Sequence, residues 1–202
     1  MLTVGLTGGL ASGKSFVGRT LRDFGCFLVQ ADELGHQVIE TGGEAYDAVI
    51  AAFGREILDD DGRINRRRLG AIVFENPQRL EQLNALVHPP VRARSRKLIE
   101  EFAVREPDGI AVNEAAILIE TGSYRNFDRL IVAICSEQQQ IERAMERDHL
   151  SRDQVLARLR RQMPLHEKVK FADYVIDTSG DKQRTVEQTR AVYESLRRLS
   201  SP

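Results

Sequence analysis

Basic and acidic residues nearly cancel in this 202-residue sequence, 29 lysines and arginines against 30 aspartates and glutamates, for a formal net charge of -1. Without a net positive field, nonspecific binding to nucleic acid or to an anionic membrane surface has no driving force. Cysteine is scarce too. Cys26 and Cys135 sit among apolar neighbours far apart in sequence, a pattern of buried free thiols in a reducing compartment rather than of a disulfide or a metal site. No basic stretch precedes the first apolar run, and Gly5, Gly8 and Gly9 interrupt it. Neither a signal peptide nor a membrane-spanning helix is therefore expected, and the cytoplasm is the expected home. Internal repeats and low-complexity tracts are missing as well.

The composition that remains is ordinary for a globular protein, 42% apolar and 29% charged, in a length that suits one core with large insertions better than two independent domains. Short apolar runs at Leu2–Thr7, Cys26–Val29, Ile110–Val112, Leu130–Cys135 and Tyr174–Ile176 read as five strands, apolar on both faces as in a parallel sheet. Helical periodicity fills the spaces between them. Phe16–Phe24 carries an apolar stripe ended by Gly25, and Arg184–Leu199 forms a closing helix. Between Glu44 and Arg105 the stripes Tyr46, Val49, Ile50, Phe53 and Val91, Ser95, Leu98, Phe102 mark a helical block, expected to break at Asp61–Gly62 and again at His88–Pro90. Glu137–Lys170 reads as a charged helical excursion with a capping box at Ser151–Gln154 and an interruption at Pro164. The fold expected is α/β, a five-stranded parallel sheet with helices on both faces, with a helical insertion after the second strand.

Gly8-x4-Gly13-Lys14-Ser15 is the phosphate-loop pattern, placed between a strand and a helix as that motif requires. Glycines let backbone N–H groups curl around phosphate oxygens, Lys14 reaches the β and γ phosphates, Ser15 holds Mg²⁺, and the helix beginning there adds its positive end. The loop does not say whether water or a second substrate receives the phosphoryl group. Asp32, at the end of the second strand, is placed to accept a hydroxyl proton in transfer to an alcohol, or else to cap the helix that follows. Arg143 and Arg147 are four apart on a helix face, with Arg158, Arg160 and Arg161 behind them. These arginines either reach a transferring phosphoryl group on a mobile flap or form a solvated face. His88 has no neighbour at metal-ligand spacing and reads as a helix-end histidine. Glu114 and Glu120 stand near the third strand's end, as carboxylates near Mg²⁺ or as plain loop polarity.

Taken in order, VGLTGGLASGKS, QAD at Gln30–Asp32, DGRINRRRLGAIVF, LNALVHPPV, AILIETG, QIERAMERD and ADYVIDTSG resemble the dephospho-CoA kinase family over nearly the whole chain. The resemblance implies a phosphate-loop kinase core like that of nucleoside-monophosphate kinases at residues 1–43, 106–136 and 171–202, a helical substrate domain at 44–105 and a helical lid at 137–170. It implies transfer of the γ-phosphoryl group of ATP to the 3′-hydroxyl of dephospho-CoA, with Mg²⁺, in a monomer or weak oligomer. Gly8, Gly9, Leu10, Ala11, Ser12, Gly13, Lys14, Ser15 and Phe16 would bind ATP, and Thr178, Ser179 and Gly180 would lie near its adenine. Ser15 would serve the metal, Asp32 would be the base, and Arg143 and Arg147 would come from the lid. Asn65, Arg66 and His88 would join Asp32 in the substrate region. Two departures stand out: the family commonly reads DAD where this chain has QAD, and PLLFE where it has AILIE. Another small-molecule or nucleoside kinase on the same core, or a nucleotide-driven switch, are the alternative readings.

Overall fold

The computed structural model describes residues 1–200, so the last two residues of the 171–202 stretch lie outside the described residues. Strands β1 (Leu2–Gly8), β2 (Phe27–Gln30), β3 (Ile110–Glu114), β4 (Arg129–Ile134) and β5 (Tyr174–Asp177) form one sheet in the order β2-β3-β1-β4-β5. All four pairings are parallel. With β1 in the middle, every carboxyl end lies at one edge, where open α/β sheets take their ligands.

Leu2, Val4 and Leu6 of β1, Ile110 and Val112 of β3, and Ile131 and Ala133 of β4 point to one face. There they pack on Val17 and Leu21 of α1 (Lys14–Asp23) and on Val192 and Leu196 of α9 (Lys182–Ser200). Sequence periodicity starts the first helix two residues late, because Lys14 and Ser15 are polar helix residues outside the apolar stripe. On the other face, a Cβ at Gly5 would stand 3.0 to 3.1 Å from Leu130, Phe127 and Leu118, so the chain after β3 lies close against the central strand. Phe27 stacks on Phe102, ring centroids 4.7 Å apart.

The chain divides into two compact units, Met1–Gln30 with Ile99 onward, and Ala31–Leu98. The second unit is helical: α2 (Ala31–Gln37), α3 (Tyr46–Phe53), α4 (Arg66–Glu75) and most of α5 (Pro77–Arg105). A turn at Asp61–Gly62 separates α3 from α4, closed by a bridge between Leu58 and Ile64, with Gly62 at φ 81°. The break expected at His88–Pro90 does not occur, since α5 runs through both prolines. Pro89 and Pro90 remove the donors to the carbonyls of Ala85 and Leu86. Ala85 and Pro89 are exposed, where water can serve a freed carbonyl, and Val91 and Ser95, buried in the next turns, hold the helix beyond them.

Within the first unit, residues 137–170 form α6 (Glu137–Asp148), α7 (Arg152–Leu159) and α8 (Leu165–Lys168). The capping box at Ser151–Gln154 is present, and a second joins Ser136 to Gln139. Pro164 precedes the first residue of α8. Ile141, Ala144 and Val155 make a small core of their own, and Leu10 and Ala11 pack against it.

Candidate active site

The turn from β1 into α1 is built by what its side chains leave room for. Gly13 adopts φ 81°, ψ 4° and caps α1 without a side-chain hydrogen bond. The first N–H groups of a helix have no partner within it, and here they open onto the carboxyl edge of the sheet. A Cβ on Gly13 would lie 2.7 Å from Thr178 Oγ1, and one on Gly9 would lie 2.3 Å from Gln140 Nε2. With its positive φ and the branched Thr178 beside it, Gly13 admits only glycine, while a side chain at Gly9 would displace the amide end of Gln140. Ala11 takes φ 53°, a conformation uncommon outside glycine; its packing against the small helical core accompanies it.

Lys14 and Ser15 both turn to one carboxylate. Glu114 Oε1 accepts from Lys14 Nζ at 2.8 Å and from Ser15 Oγ at 2.6 Å, while Glu114 Oε2 accepts from Gln30 Nε2 at 3.3 Å. The ion pair is buried, with side-chain exposures of 8% for Lys14 and 3% for Glu114. Glu114 is thus a buried carboxylate at the end of β3, set against the lysine and serine of the loop. Gln30, the first residue of QAD, serves as its neutral donor. Ser12 Oγ is buried without a hydrogen-bond partner among the described residues.

Four side chains from residues 140–178 hold the loop's backbone. Gln140 Nε2 donates to the Leu10 carbonyl at 2.7 Å, and Leu10 N–H donates to Gln162 Oε1 at 2.8 Å. Thr178 Oγ1 donates to the Ser12 carbonyl at 2.8 Å, and Lys168 Nζ donates to the Gly8 carbonyl at 3.1 Å. Sequence reasoning missed Gln140, Gln162 and Lys168, since no motif links a glutamine or a lysine to a loop 130 to 160 residues away. Thr178 is itself held by Arg143, whose Nη1 donates to its Oγ1 at 3.1 Å and Nη2 to its carbonyl at 2.8 Å. Gln139 Nε2 donates to the Ser179 carbonyl, and Ser179 N–H donates to Asp177 Oδ1. Hydrogen bonds from the Ser179 side chain and then its N–H hold the Asp177 carboxyl below its usual range.

Arg143 and Arg147 share a helix but part company in their contacts. Arg147 is exposed and forks onto Asp148 at 2.8 and 2.9 Å, with Arg158 3.8 Å from the same carboxylate. The Arg147 bond first, then both guanidinium charges, keep Asp148 below the ordinary carboxylate range. Glu120 pairs with Lys168 at 2.9 Å and accepts from Met163 N–H at 3.0 Å.

In the second unit, Asp32 and Glu33 occupy the first turn of α2, two residues past the end of β2, so Asp32 is inside the helix rather than its cap. Asn65 caps α4: its Oδ1 accepts from Arg67 and Arg68 N–H, and its amide donates to Asp59 Oδ1 at 2.7 Å. Arg66 lies 3.8 Å from Glu40. His88 sits mid-helix in α5, where burial and then the Arg92 charge push its pKa down. His36, one turn after Asp32, is lowered chiefly by burial and by Arg66.

Cys26 is buried and Cys135 half-buried; both are free thiols. Among the described residues no helix is long and apolar enough to cross a membrane.

The family model for dephospho-CoA kinase matches residues 2–184. The chain is 42% identical to the dephospho-CoA kinase of Carboxydothermus hydrogenoformans over 191 residues, covering 95% of this chain and 92% of that one. It is 37% identical to the dephospho-CoA kinase of Aquifex aeolicus over 198 residues, 98% and 99% of the two chains. A crystal structure of a Thermus thermophilus protein superposes with a TM-score of 0.79 at 34% identity, over 96% of this chain and 97% of that one. With a loop of glycines, a buried Lys14–Glu114 pair and this match along almost its full length, the chain belongs to the dephospho-CoA kinase family.

Proposed function

We propose that this kinase moves the γ-phosphoryl group of ATP to the 3′-hydroxyl of dephospho-CoA, with the phosphate loop as the ATP site and residues 31–98 supplying the acceptor site. The observation that carries the reading is the convergence of Lys14 and Ser15 on Glu114 beneath the glycine turn, at the carboxyl edge of a parallel sheet. Phosphoryl transfer asks a protein mainly for positioning and for charge opposite the phosphates. Lys14 supplies the charge, and the first N–H groups of α1 supply fixed donors.

Asp32 takes the proton of the attacking hydroxyl as a general base. Arg143 acts through Thr178 to hold the Ser12 peptide, while the exposed Arg147 is the lid arginine that reaches the transferring group. Asn65, Arg66 and His88 contribute to the acceptor region, with Asn65 also capping α4. Residues 137–170 close over the reacting groups and exclude water.

Mg²⁺ suits the donor set. Ser15 Oγ and Glu114 Oε1 are adjacent hard oxygens, and Mg²⁺ takes one or two protein oxygens together with substrate phosphates. When bound there it neutralises charge on the phosphates. The reaction belongs in the cytoplasm, where ATP is supplied.

The test is ATP consumption by the purified protein with Mg²⁺, with and without dephospho-CoA, with the product identified by mass. ADP formation that requires dephospho-CoA and adds one phosphate to it supports the reading. ATP turnover indifferent to the acceptor would discard it.

A further inference from the structure

Lys168 is fully buried, at 0% exposure, and has no role in the chemistry above. It ends α8, and its Nζ donates to the Gly8 carbonyl at 3.1 Å, donates to the Ala116 carbonyl at 2.7 Å, and pairs with Glu120 Oε1 at 2.9 Å. An ammonium has three donors, and here one meets Gly8 and two meet the segment after β3, at Ala116 and Glu120. Gly8 begins the phosphate loop, and Ala116 follows the strand that carries Glu114. Glu120 also receives Met163 N–H just before α8, and Thr7 Oγ1 donates to the same Ala116 carbonyl at 3.1 Å. One side chain thus ties the end of residues 137–170 to both walls of the loop.

Packing alone does not call for a charge at this place. An apolar side chain of similar volume often replaces a buried ion pair at no loss, or with a gain, in stability. What an apolar side chain cannot do is hold the Gly8 carbonyl. With the Leu10 peptide set by Gln140 and Gln162, and the Ser12 carbonyl by Thr178, Lys168 completes a series of side-chain holds at residues 8, 10 and 12.

We propose that Lys168 is a positioning residue for ATP: it fixes the Gly8 carbonyl and so keeps the phosphate loop in its nucleotide-receiving shape, without touching the nucleotide. The inference rests on the loop being the ATP site. Its consequence is selective, with ATP use depending on Lys168 and acceptor use not depending on it.

The test is the double variant K168M/E120L, which removes both charges and leaves neither buried without its partner. Its melting temperature, its KM for ATP and its KM for dephospho-CoA are measured beside the wild type. The expected result is a melting temperature close to wild type, a KM for ATP raised about tenfold or more, and a KM for dephospho-CoA changed less than about twofold. An unchanged KM for ATP, or equal increases in both constants, would overturn the proposal, the second because it reports general loosening. Should the double variant not fold, E120Q takes its place. It keeps the lysine but weakens its anchor, and the KM for ATP should rise about threefold, an unchanged value again overturning the proposal. A wild type that binds ATP but ignores dephospho-CoA fails the proposed function instead, so the two failures are told apart.

Discussion

Gly13→Ala is the substitution whose cost can be worked out most fully. The new Cβ would stand 2.7 Å from Thr178 Oγ1 and 2.9 Å from its Cβ and Cγ2, with the backbone at φ 81°. A left-handed residue other than glycine costs about 1–2 kcal/mol. Thr178 cannot swing aside cheaply. It is buried and branched at Cβ, its hydroxyl donates toward the Ser12 and Ile134 carbonyls, and it accepts from Arg143. Overpacking adds about 1–3 kcal/mol, and a lost hydrogen bond adds about 1 kcal/mol. A total near 3–6 kcal/mol corresponds to a melting temperature lower by roughly 6–24 °C in a chain of this length. Thermal unfolding followed by circular dichroism measures it, with and without ATP. ATP at about 100 times its Kd should stabilise the wild type by about 2.7 kcal/mol, and the variant by less than half of that, because the displaced turn carries the first N–H groups of α1. Adding Thr178→Ala should recover part of the loss, since it removes two of the three clashing atoms. A melting temperature within about 2 °C of wild type, with the ATP effect intact, would refute the reasoning.

Three further outcomes follow from the same geometry. Asp32→Asn should lower turnover by roughly 10² or more while leaving ATP binding by calorimetry unchanged; near-normal turnover removes Asp32 as the base. Arg143→Ala should raise the KM for ATP, because Arg143 holds Thr178, whereas Arg147→Ala should lower kcat by about tenfold with little change in that KM. The opposite split in steady-state kinetics would reverse the two roles. Burial pushes the Cys26 thiol up to about 12 from an ordinary 9.0. The folded value lies above the unfolded one, so this stabilisation is full below pH 9 and is lost as pH rises toward 12. Native Cys26 should resist iodoacetamide at pH 8.5 and react once the chain is unfolded, and labelling at equal rates in both states would contradict its burial.

How much of this was legible in the sequence depended on whether a signal was local. The three central strands, β3, β1 and β4, are buried on both faces and the edge strands β2 and β5 are short apolar runs, so all five show locally, and the glycines, lysine and serine of the loop declare themselves at fixed spacing. The capping box at Ser151–Gln154 is equally local. Glu114 and Glu120 could not be separated by sequence, because their difference lies in which lysine each meets. Glu114 meets Lys14 from β3, while Glu120 meets Lys168 from a helix 48 residues on. The holds on Leu10 by Gln140 and Gln162 are tertiary in the same sense. At His88–Pro90 a correct local rule lost to packing, since Val91 and Ser95 in the turns beyond the prolines are buried and α5 stays helical there.

The central position of β1 bears on how this chain is made. Leu2 pairs with Ile110 and Val4 with Arg129, so during synthesis β1 waits for about a hundred further residues before either neighbour exists. Throughout that interval an apolar strand with two unsatisfied edges is available to other molecules. Long-range parallel pairing is also slow to form. Refolding yield should therefore fall as protein concentration rises, and a nascent chain stopped before Ile134 should depend on a chaperone to stay in solution.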